Sequence, residues 1–535
     1  MLLVSEENIR TIIPGDVQVK VFQKGHFSVA LSDEYTVLDT GEDLLIYHGE
    51  CVSRTGDTID PSELQEKTLL SCLQSGNGYF FLMKIYQDGI DIYRSLEREQ
   101  DVFYSTSGSF CITSRIEILL AFSGTDNHNT EFLKAFLNGL PVASFLSPYE
   151  NIKKILGGCK TSFKDGLASI TSFIDLSPSN ESHLDKLSET IYNRTKNKKI
   201  WLNFSSGLDS TVIFLVLKES GLKFDAVHHC PHSAEYDSEI QEASDLCKKY
   251  GIRLHLMEPV RQVLPAGQTG EFLGGTAFLQ TEYVSDTFSY VENISSDNIY
   301  LNGQGGDTLY VQNPTYLIGT QLLLKAKPLR ALRALDNLSK LKNASLPGLI
   351  KESVFSLRDI SVSNRTPVHP LLTASPSGAA DYEHLLQILS FTETLPEMTA
   401  ESLNTFSPIM TPGVIRTWIS QQYETNYNAD YDRFLIRDMA YKRFNEPHLW
   451  KRRKRSSVNM AHGLLLHSRT ILDCALENEQ WIKATGFQRE AIENLIRSNL
   501  NGHFDNYTNM LVSLITLHEY YSFITKARES MNYAP

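Results

Sequence analysis

LNFSSGLDSTVIF, residues 202–214, joins a strand-like apolar run to a helical one through two serines and a glycine. A strand that passes through small residues into a helix N-terminus turns several backbone N–H groups toward one point, where the helix dipole also favours an anion. The stretch therefore predicts a phosphate-binding turn. The alternative is a plain helix cap, because serine and aspartate are common N-cap residues. It is not a Walker A loop, which requires Gly-Lys-Ser/Thr.

The side chains of this turn fit a nucleotide that is bound together with a metal ion. Ser205, Ser206 and Ser210 add hydroxyl donors, and Gly207 lets the backbone approach the phosphates. Asp209 carries a charge that repels a triphosphate unless a cation lies between them. We therefore predict that Asp209 is a Mg²⁺ ligand and that a second carboxylate completes the site.

A second loop supplies that carboxylate. IYLNGQGGDTLY (299–310) runs from an apolar strand into a glycine-rich loop that ends at Asp307. The glycines of this loop are Gly303, Gly305 and Gly306. In an open α/β sheet, ligands bind at the carboxyl ends of the strands. Asp209 and Asp307 are therefore expected to share one metal ion.

The sequence around the first turn alternates between helical and strand-like segments. Helices are predicted at 184–196, 210–220 and 237–250, and strands at 199–204, 224–230 and 253–258. This order predicts a doubly wound parallel sheet with right-handed crossovers. Beyond about residue 318 the pattern is largely helical, which indicates a large helical extension.

The first third of the chain has a different pattern. Strand-like segments, rich in β-branched and aromatic residues, are 78–86, 89–96 and 101–114. The stretch LSPSNESH (176–183) has the composition of a linker. A chain of 535 residues is too long for one ordinary core. We therefore expect two domains, a β-rich one over 1–180 and an α/β one over 181–535.

Composition excludes several classes of function. The formal net charge of −13 argues against a general nucleic-acid binder. The longest apolar runs, 211–217 and 510–517, are far shorter than a membrane span. Seven scattered cysteines form no CxxC pair, so neither a disulfide framework nor a cysteine-rich zinc site is expected. The opening residues lack a basic signal-peptide segment, and we expect a cytoplasmic protein.

Several motifs, in order, resemble a known family. SSGLDS (205–210) resembles the SGGxDS pyrophosphate loop of PP-loop ATP pyrophosphatases, and NGQGGD (302–307) resembles the later glycine-rich loop of the asparagine synthetase family. DSEIQEA (237–243), FSPIMTPGVI (406–415) and WKRRKRSS (450–457) resemble further segments of that family. The resemblance implies a PP-loop synthetase domain over 181–535. NGYFFLMKIY and the segments after it resemble the family's glutaminase-type (Ntn) N-terminal domain.

Within this family the likeness is closest to lasso-peptide cyclases of the microcin-processing type, on FSSGLDSTVIF, LNGQGGDTLY and DYDRFLIRDMAYKRF. That resemblance implies an AMP-forming carbon–nitrogen ligase. With ATP and Mg²⁺ it adenylylates an Asp or Glu side chain of a precursor core peptide, and the peptide's N-terminal amine then closes a macrolactam. It also implies a leader peptidase and a leader-binding protein as partners. Two alternatives stay open: a β-lactam-type or ammonia-dependent asparagine synthetase acting on a small molecule, and an inactive scaffold.

The resemblance also assigns roles to residues. The turn Ser205–Ser210, with Leu208 at its centre, holds the departing pyrophosphate, and Lys454 stabilises the oxyanion formed when the amine attacks. Gln304 stands where asparagine synthetases often have an acid and β-lactam synthetases a tyrosine. Glutamine is no base at neutral pH, so Gln304 is left to orient substrate. Residue 2 is Leu rather than the catalytic cysteine of glutaminases, so a degenerate, inactive glutaminase-like domain is expected.

Other segments have ordinary interpretations beside the functional ones. Composition alone predicts that the basic run 451–455 is a solvated surface or an RNA-binding patch. The family resemblance instead favours an active-site lid. HHCPH (228–232) is not expected to bind zinc, because successive strand residues face opposite ways. YNADYDRF (427–434) is predicted to pack as core, or to line a peptide chamber through residues 431–433. Asp237 and Glu239 are candidates for positioning nucleotide. Ser206 stands where the motif has glycine, which adds strain of roughly 1 kcal/mol if φ is positive there.

Overall fold

A computed structural model describes most of the chain. The described residues are 1–6, 19–33, 35–51, 78–97, 101–106, 110–123, 127–229, 237–257, 298–360, 368–373, 378–395, 405–451, 465–466, 468–501 and 507–530.

The strands in this part of the chain are β1 Leu2–Ser5, β2 Lys20–Lys24, β3 Phe27–Leu31, β4 Thr36–Asp39, β5 Leu44–Cys51, β6 Gly78–Tyr86, β7 Gly89–Arg94, β8 Phe103–Ser105, β9 Cys111–Thr113, β10 Ile152–Lys154, β11 Cys159–Lys164, β12 Leu167–Ser172, β13 Lys199–Asn203, β14 Phe224–His229, β15 Leu254–Met257, β16 Asn298–Leu301 and β17 Thr405–Phe406.

The α-helices are α1 Ile116–Ser123, α2 Thr130–Leu137, α3 His183–Thr195, α4 Leu208–Glu219, α5 Asp237–Tyr250, α6 Gly306–Leu309, α7 Leu317–Leu324, α8 Pro328–Lys342, α9 Leu346–Ile360, α10 Ala379–Thr394, α11 Pro412–Ile419, α12 Phe434–Phe444, α13 Arg469–Ala475, α14 Glu479–Thr485, α15 Arg489–Leu500 and α16 Thr508–Ser530. Short 3₁₀ helices lie at Pro141–Phe145, Pro370–Leu372, Pro408–Met410, Tyr423–Thr425 and Pro447–Trp450.

The N-terminal region is a sandwich of two antiparallel sheets. One has the strand order β10-β8-β9-β1-β3-β2, and the other β12-β11-β7-β6-β5-β4. Alternate residues of each strand face the space between the two sheets. Val4 and Val29 of the first sheet belong there to one apolar cluster with Ile46, Met83 and Ile92 of the second. The β-rich character predicted for this region is confirmed.

The opposite face of the first sheet is covered by helices from both ends of the chain. Leu3 and Phe103 of the sheet share one apolar cluster with Leu472, Trp481 and Leu511 of the C-terminal helices. The helices α1 and α2 join the same cluster. The C-terminal helix α16 therefore shares one apolar core with the first sheet, and within it contacts α1 and α2.

The third sheet is parallel throughout, with the order β15-β14-β13-β16-β17. Helices and strands lie within a few residues of their predicted positions, so the prediction of a parallel α/β sheet is confirmed. The helix α4 is buried on all sides, from Val212 to Leu217, because it lies between the sheet and the helices α3 and α12. None of the described helices is long and apolar enough to cross a membrane.

Candidate active site

The two predicted loops follow neighbouring strands. β13 pairs in parallel with β16, from Lys199 opposite Asn298 to Leu202 opposite Leu301. Parallel strands end at the same edge of a sheet, so the turn after β13 and the loop after β16 lie side by side. This is the edge at which ligands bind in open α/β sheets.

The turn after β13 is tightly built. Ser206 has φ +56°, the left-handed conformation that was expected to strain this position. Gly207 is the N-cap of α4, and its N–H donates to Ser205 Oγ at 3.3 Å. Ser205 Oγ also lies 3.2 Å from Ser210 Oγ. The N-terminus of a twelve-residue helix thus opens directly behind a turn of small residues, as a phosphate site requires.

The loop after β16 contacts that turn directly. Gly305 has φ +83° and precedes the short helix α6, which carries Asp307. A Cβ at Gly306 would lie 2.3 Å from Cγ of Asp209, and one at Gly303 would lie 2.9 Å from the amide nitrogen of Ser210. Glycines at these two positions are therefore required by the close approach of the loops.

Asp209 and Asp307 converge on one atom. Nη1 of Arg433 donates to Asp209 Oδ2 at 3.0 Å and to Asp307 Oδ1 at 2.5 Å. With its amide oriented to donate, Gln312 adds bonds to both oxygens of Asp307 at 2.8 and 3.1 Å. Hard carboxylate oxygens that meet at one cation are the ligand type that Mg²⁺ takes. The expectation that the two aspartates lie together is met, and their metal binding stays a prediction.

The backbone of Arg433 has a left-handed conformation, which is unusual for a residue other than glycine. It has φ +49° at the N-cap of α12, and 5% of its side chain is exposed. Asp432 lies beside it, 3.5 Å from Nε, and also accepts a bond from Arg437 at 3.2 Å. Arg437 in turn donates to the main-chain oxygens of Leu449 and Lys451 at 2.5 and 3.0 Å. This segment therefore connects the paired aspartates to the start of the basic run.

Sequence reasoning did not assign this role to Arg433. For residues 431–433 the sequence pattern predicts only core packing or the lining of a peptide chamber. The signal that points to it is electrostatic. Two carboxylates brought to one edge of a sheet need a cation, and an Asp-Arg pair at a helix start can supply one.

Three buried or half-buried imidazoles hold the backbone of the two loops. His448 Nε2 donates to the main-chain oxygen of Ser206 at 2.7 Å, and His228 Nδ1 donates to that of Phe204 at 2.7 Å. His384 Nε2 lies 3.0 and 2.9 Å from the oxygens of Thr308 and Leu309 on the helix that carries Asp307. Burial lowers the pKa of His448, and lowers that of His384 to about 4. Both rings are thus kept neutral.

Some of the remaining predicted site residues lie in the described part of the chain, and others lie outside it. Gln304 is exposed on the loop after β16, where it can face a substrate. Asp237 begins α5, and Glu239 is half-buried on the same helix. Lys454 lies outside the described residues, as do Cys230 and His232. Within the described part of the chain, no three His, Cys, Asp or Glu side chains are grouped to hold a metal ion.

Comparison with known proteins identifies one family. Residues 185–522 match the family model described as asparagine synthase. The Microcin J25-processing protein McjC of Escherichia coli is 24% identical over 477 residues, which cover 86% of this chain and 89% of that protein. Both findings agree with the resemblance that the motifs indicated, which is confirmed.

Two solved structures match in part. The allosteric regulatory enzyme of purine biosynthesis aligns with 45% of this chain and 69% of its own at 7% identity, with a TM-score of 0.19. The glutamine phosphoribosylpyrophosphate amidotransferase from B. subtilis, complexed with ADP and GMP, aligns with 44% of this chain and 52% of its own at 12% identity, with a TM-score of 0.18.

Proposed function

The chain belongs to the asparagine synthase family, and from that premise we propose that it is an AMP-forming ligase that closes a macrolactam in a precursor peptide. The observation that carries the proposal is the convergence of Asp209 and Asp307, from two loops at one sheet edge, beside a helix N-terminus built for phosphate. The similarity to McjC, a microcin-processing protein, supports a peptide substrate.

The first half-reaction joins a carboxylate to AMP. An Asp or Glu side-chain oxygen of the peptide attacks the α-phosphorus of ATP, and pyrophosphate leaves. The turn Ser205–Ser210 receives the leaving pyrophosphate through backbone N–H groups that need no reorganisation when charge develops. Ser206 has a left-handed backbone, and its carbonyl oxygen accepts a hydrogen bond from His448.

The paired aspartates suit a magnesium ion. Both supply hard oxygens, and both lie within 3.0 Å of a single point now taken by a cationic nitrogen. When bound there, Mg²⁺ supplies charge neutralisation for the polyphosphate. The glycines at 303 and 306 keep the two carboxylates close together, because a Cβ at either position would push the loop that carries Asp307 away from Asp209.

The second half-reaction forms the amide. The peptide's N-terminal amine attacks the acyl-adenylate, an oxyanion develops, and AMP leaves. We assign the stabilising cation to Lys454, on the strength of its place in the family motif. Of the basic run 451–455, the structure describes only Lys451, which pairs with Glu242 at 3.0 Å. Arg437 binds the main-chain oxygens of Leu449 and Lys451. Gln304 would orient the peptide.

The N-terminal sandwich, assigned to residues 1–180, is proposed to be a degenerate glutaminase-like domain with a structural or partner-holding role. Its two packed antiparallel sheets support that assignment. A leader peptidase and a leader-binding protein are the expected partners, because cyclisation needs a freshly exposed N-terminal amine. We propose a cytoplasmic site of action.

The deciding experiment follows AMP release and peptide mass together. Purified protein receives Mg-ATP, a candidate precursor peptide and the protease that removes its leader. The expected result is AMP formed in step with a peptide product lighter by one water. Asp307→Ala should abolish both signals, and Asp336→Ala, at an exposed aspartate paired with Lys340, should leave both unchanged. AMP formed only with small amino acids would indicate a small-molecule ligase. No nucleotide turnover with any acceptor would overturn the proposal.

A further inference from the structure

Arg433 lies where a metal ion shared by Asp209 and Asp307 would lie. Its Nη1 is within 3.0 Å of an oxygen from each aspartate. An Mg²⁺ ion held by those same two oxygens would have to use the lone pairs that now accept hydrogen bonds from this nitrogen. Two cations that share the same two oxygens repel strongly in a site of low dielectric. The guanidinium and the metal ion therefore exclude each other.

We propose that Arg433 is an exchangeable counterion: it neutralises the two aspartates until metal-bound nucleotide arrives, and then passes to the polyphosphate. This inference rests on the proposed function, since it takes the aspartates to be the metal site. It goes further, because it states an order of binding: Arg433 neutralises the two aspartates first, and the metal ion replaces it only when nucleotide arrives.

Electrostatic repulsion between the two aspartates favours a permanent counterion. Two carboxylates held side by side raise each other's energy unless a cation compensates them. A mobile metal ion cannot do so at all times, since Mg²⁺ loses its water reluctantly and binds protein mainly through a few carboxylates together with substrate phosphates. A guanidinium attached to the chain neutralises the two carboxylates whatever the concentration of free metal ion. Metal ion alone should therefore bind poorly, and metal ion with nucleotide should bind well.

The displaced guanidinium has a new partner in the polyphosphate. An arginine fork matches the oxygens of a phosphate as well as those of a carboxylate. The turn Ser205–Gly207 adjoins Asp209 in sequence and opens the helix that carries it, so the phosphates would lie next to the displaced side chain. Asp432, 3.5 Å from Nε, remains a second partner that keeps the arginine near the site.

Arg433 is also connected to residues beyond the paired aspartates. Asp432 contacts both Arg433 and Arg437, and Arg437 binds two main-chain oxygens at the start of the basic run. Movement of Arg433 away from the aspartates changes the charge that Asp432 faces. The main chain at Leu449 and Lys451 would therefore respond to nucleotide loading.

The test measures Mn²⁺ binding, by electron paramagnetic resonance, to the full chain with and without the α,β-methylene analogue of ATP. In the absence of nucleotide, Arg433→Met should bind Mn²⁺ about tenfold or more tightly than the unmodified protein, because a charge-assisted competitor is gone. Arg433→Lys, which keeps a cation without the planar fork, should fall between the two. Asp307→Asn should remove the gain.

The chain offers a matched control. Arg443 also bridges two carboxylates, Asp185 at 2.5 Å and Glu219 at 2.5 Å, but on the surface of the same helix. Arg443→Met should leave Mn²⁺ binding unchanged.

The outcomes separate this inference from the proposed function. If the unmodified protein binds Mn²⁺ with the analogue, yet Arg433→Met and Arg433→Lys bind it no better without nucleotide, the counterion role is wrong and the ligase proposal stands. If no form binds Mn²⁺ even with the analogue, the metal site fails and both proposals fall.

Discussion

His448 and Ser206 are joined by a 2.7 Å hydrogen bond from the imidazole Nε2 to the main-chain oxygen, across 242 residues of sequence. The bond fixes a carbonyl in the one part of the phosphate turn where the backbone is left-handed. His448 also belongs to the 3₁₀ helix Pro447–Trp450, which leads directly into the basic run. The phosphate turn and the start of that run are therefore tied to each other.

We expect His448→Ala to raise the KM for ATP by about fivefold, the effect of losing a hydrogen bond of about 1 kcal/mol that orders the turn. His448→Gln retains a donor and should have a smaller effect. The measurement is the ATP dependence of AMP release, with thermal unfolding to verify the fold. An unchanged KM in the alanine variant would mean that the turn keeps its shape without the bond.

Gly306 tests whether the contact between the two loops matters for the site. Gly306→Ala places a methyl group 2.3 Å from Cγ of Asp209, so one loop must move. We expect kcat/KM for ATP to fall at least tenfold while the protein stays folded. The control is Gly348→Ala in α9, where the nearest atom to the added Cβ would be Cβ of Ser345 at 3.5 Å, an ordinary contact. Helix propensity improves there by up to about 1 kcal/mol. Equal activity of the two variants would contradict the role given to the close approach.

The alternation of strands and helices around the phosphate turn was predictable from the sequence. Apolar periodicity and turn residues are local signals, and β13, α4, β14 and α5 follow them closely. The pairing of Asp209 with Asp307 was also accessible, because parallel strands end at one edge.

Arg433 was not predictable in the same way. Its contact with Asp209 spans 224 residues, and its left-handed backbone carries no glycine signal. The packing of α16 against α1 and α2 is a similar case. An apolar helix pattern indicates that a face is buried, but it does not say which surface covers it, and here the cover comes from the opposite end of the chain.

Histidine burial predicts how stability depends on pH. Burial lowers the pKa of His384 from 6.5 to about 4, so the folded protein binds this proton less readily than the unfolded chain does. Stability is therefore intact above pH 6.5 and is lost as pH falls from 6.5 toward 4, by up to about 3 kcal/mol for this one group.

His384→Gln can keep a donor toward the carbonyl oxygens of Thr308 and Leu309 without the titration. We expect the urea midpoint of this variant to fall less steeply between pH 6.5 and pH 4 than that of the unmodified protein. If this variant shows the original slope, protonation of His384 does not limit stability in acid.

A buried cluster of charges joins the N-terminal sandwich to the helix α10. Glu393 accepts bonds from Arg94 of one sheet and Lys154 of the other, each at 2.8 Å, and from the amide of Gly157 at 2.7 Å. Lys154 also pairs with Asp101 at 2.9 Å. These four charged side chains are at most 1% exposed and sum to zero charge. Burial alone would raise the pKa of Glu393, but Arg94 and Lys154 lower it to about 2.

Neutralising one member should therefore destabilise the whole cluster. We expect Glu393→Gln to lower the free energy of unfolding by about 3–5 kcal/mol, because a cation is left buried without its counterion. Arg94→Met combined with Glu393→Gln restores neutrality and should recover part of that loss. Glu189→Gln, at an exposed glutamate paired with Lys186, should change it by less than about 1 kcal/mol. If Glu393→Gln costs no more than Glu189→Gln in urea unfolding, the cluster does not hold the sandwich to α10.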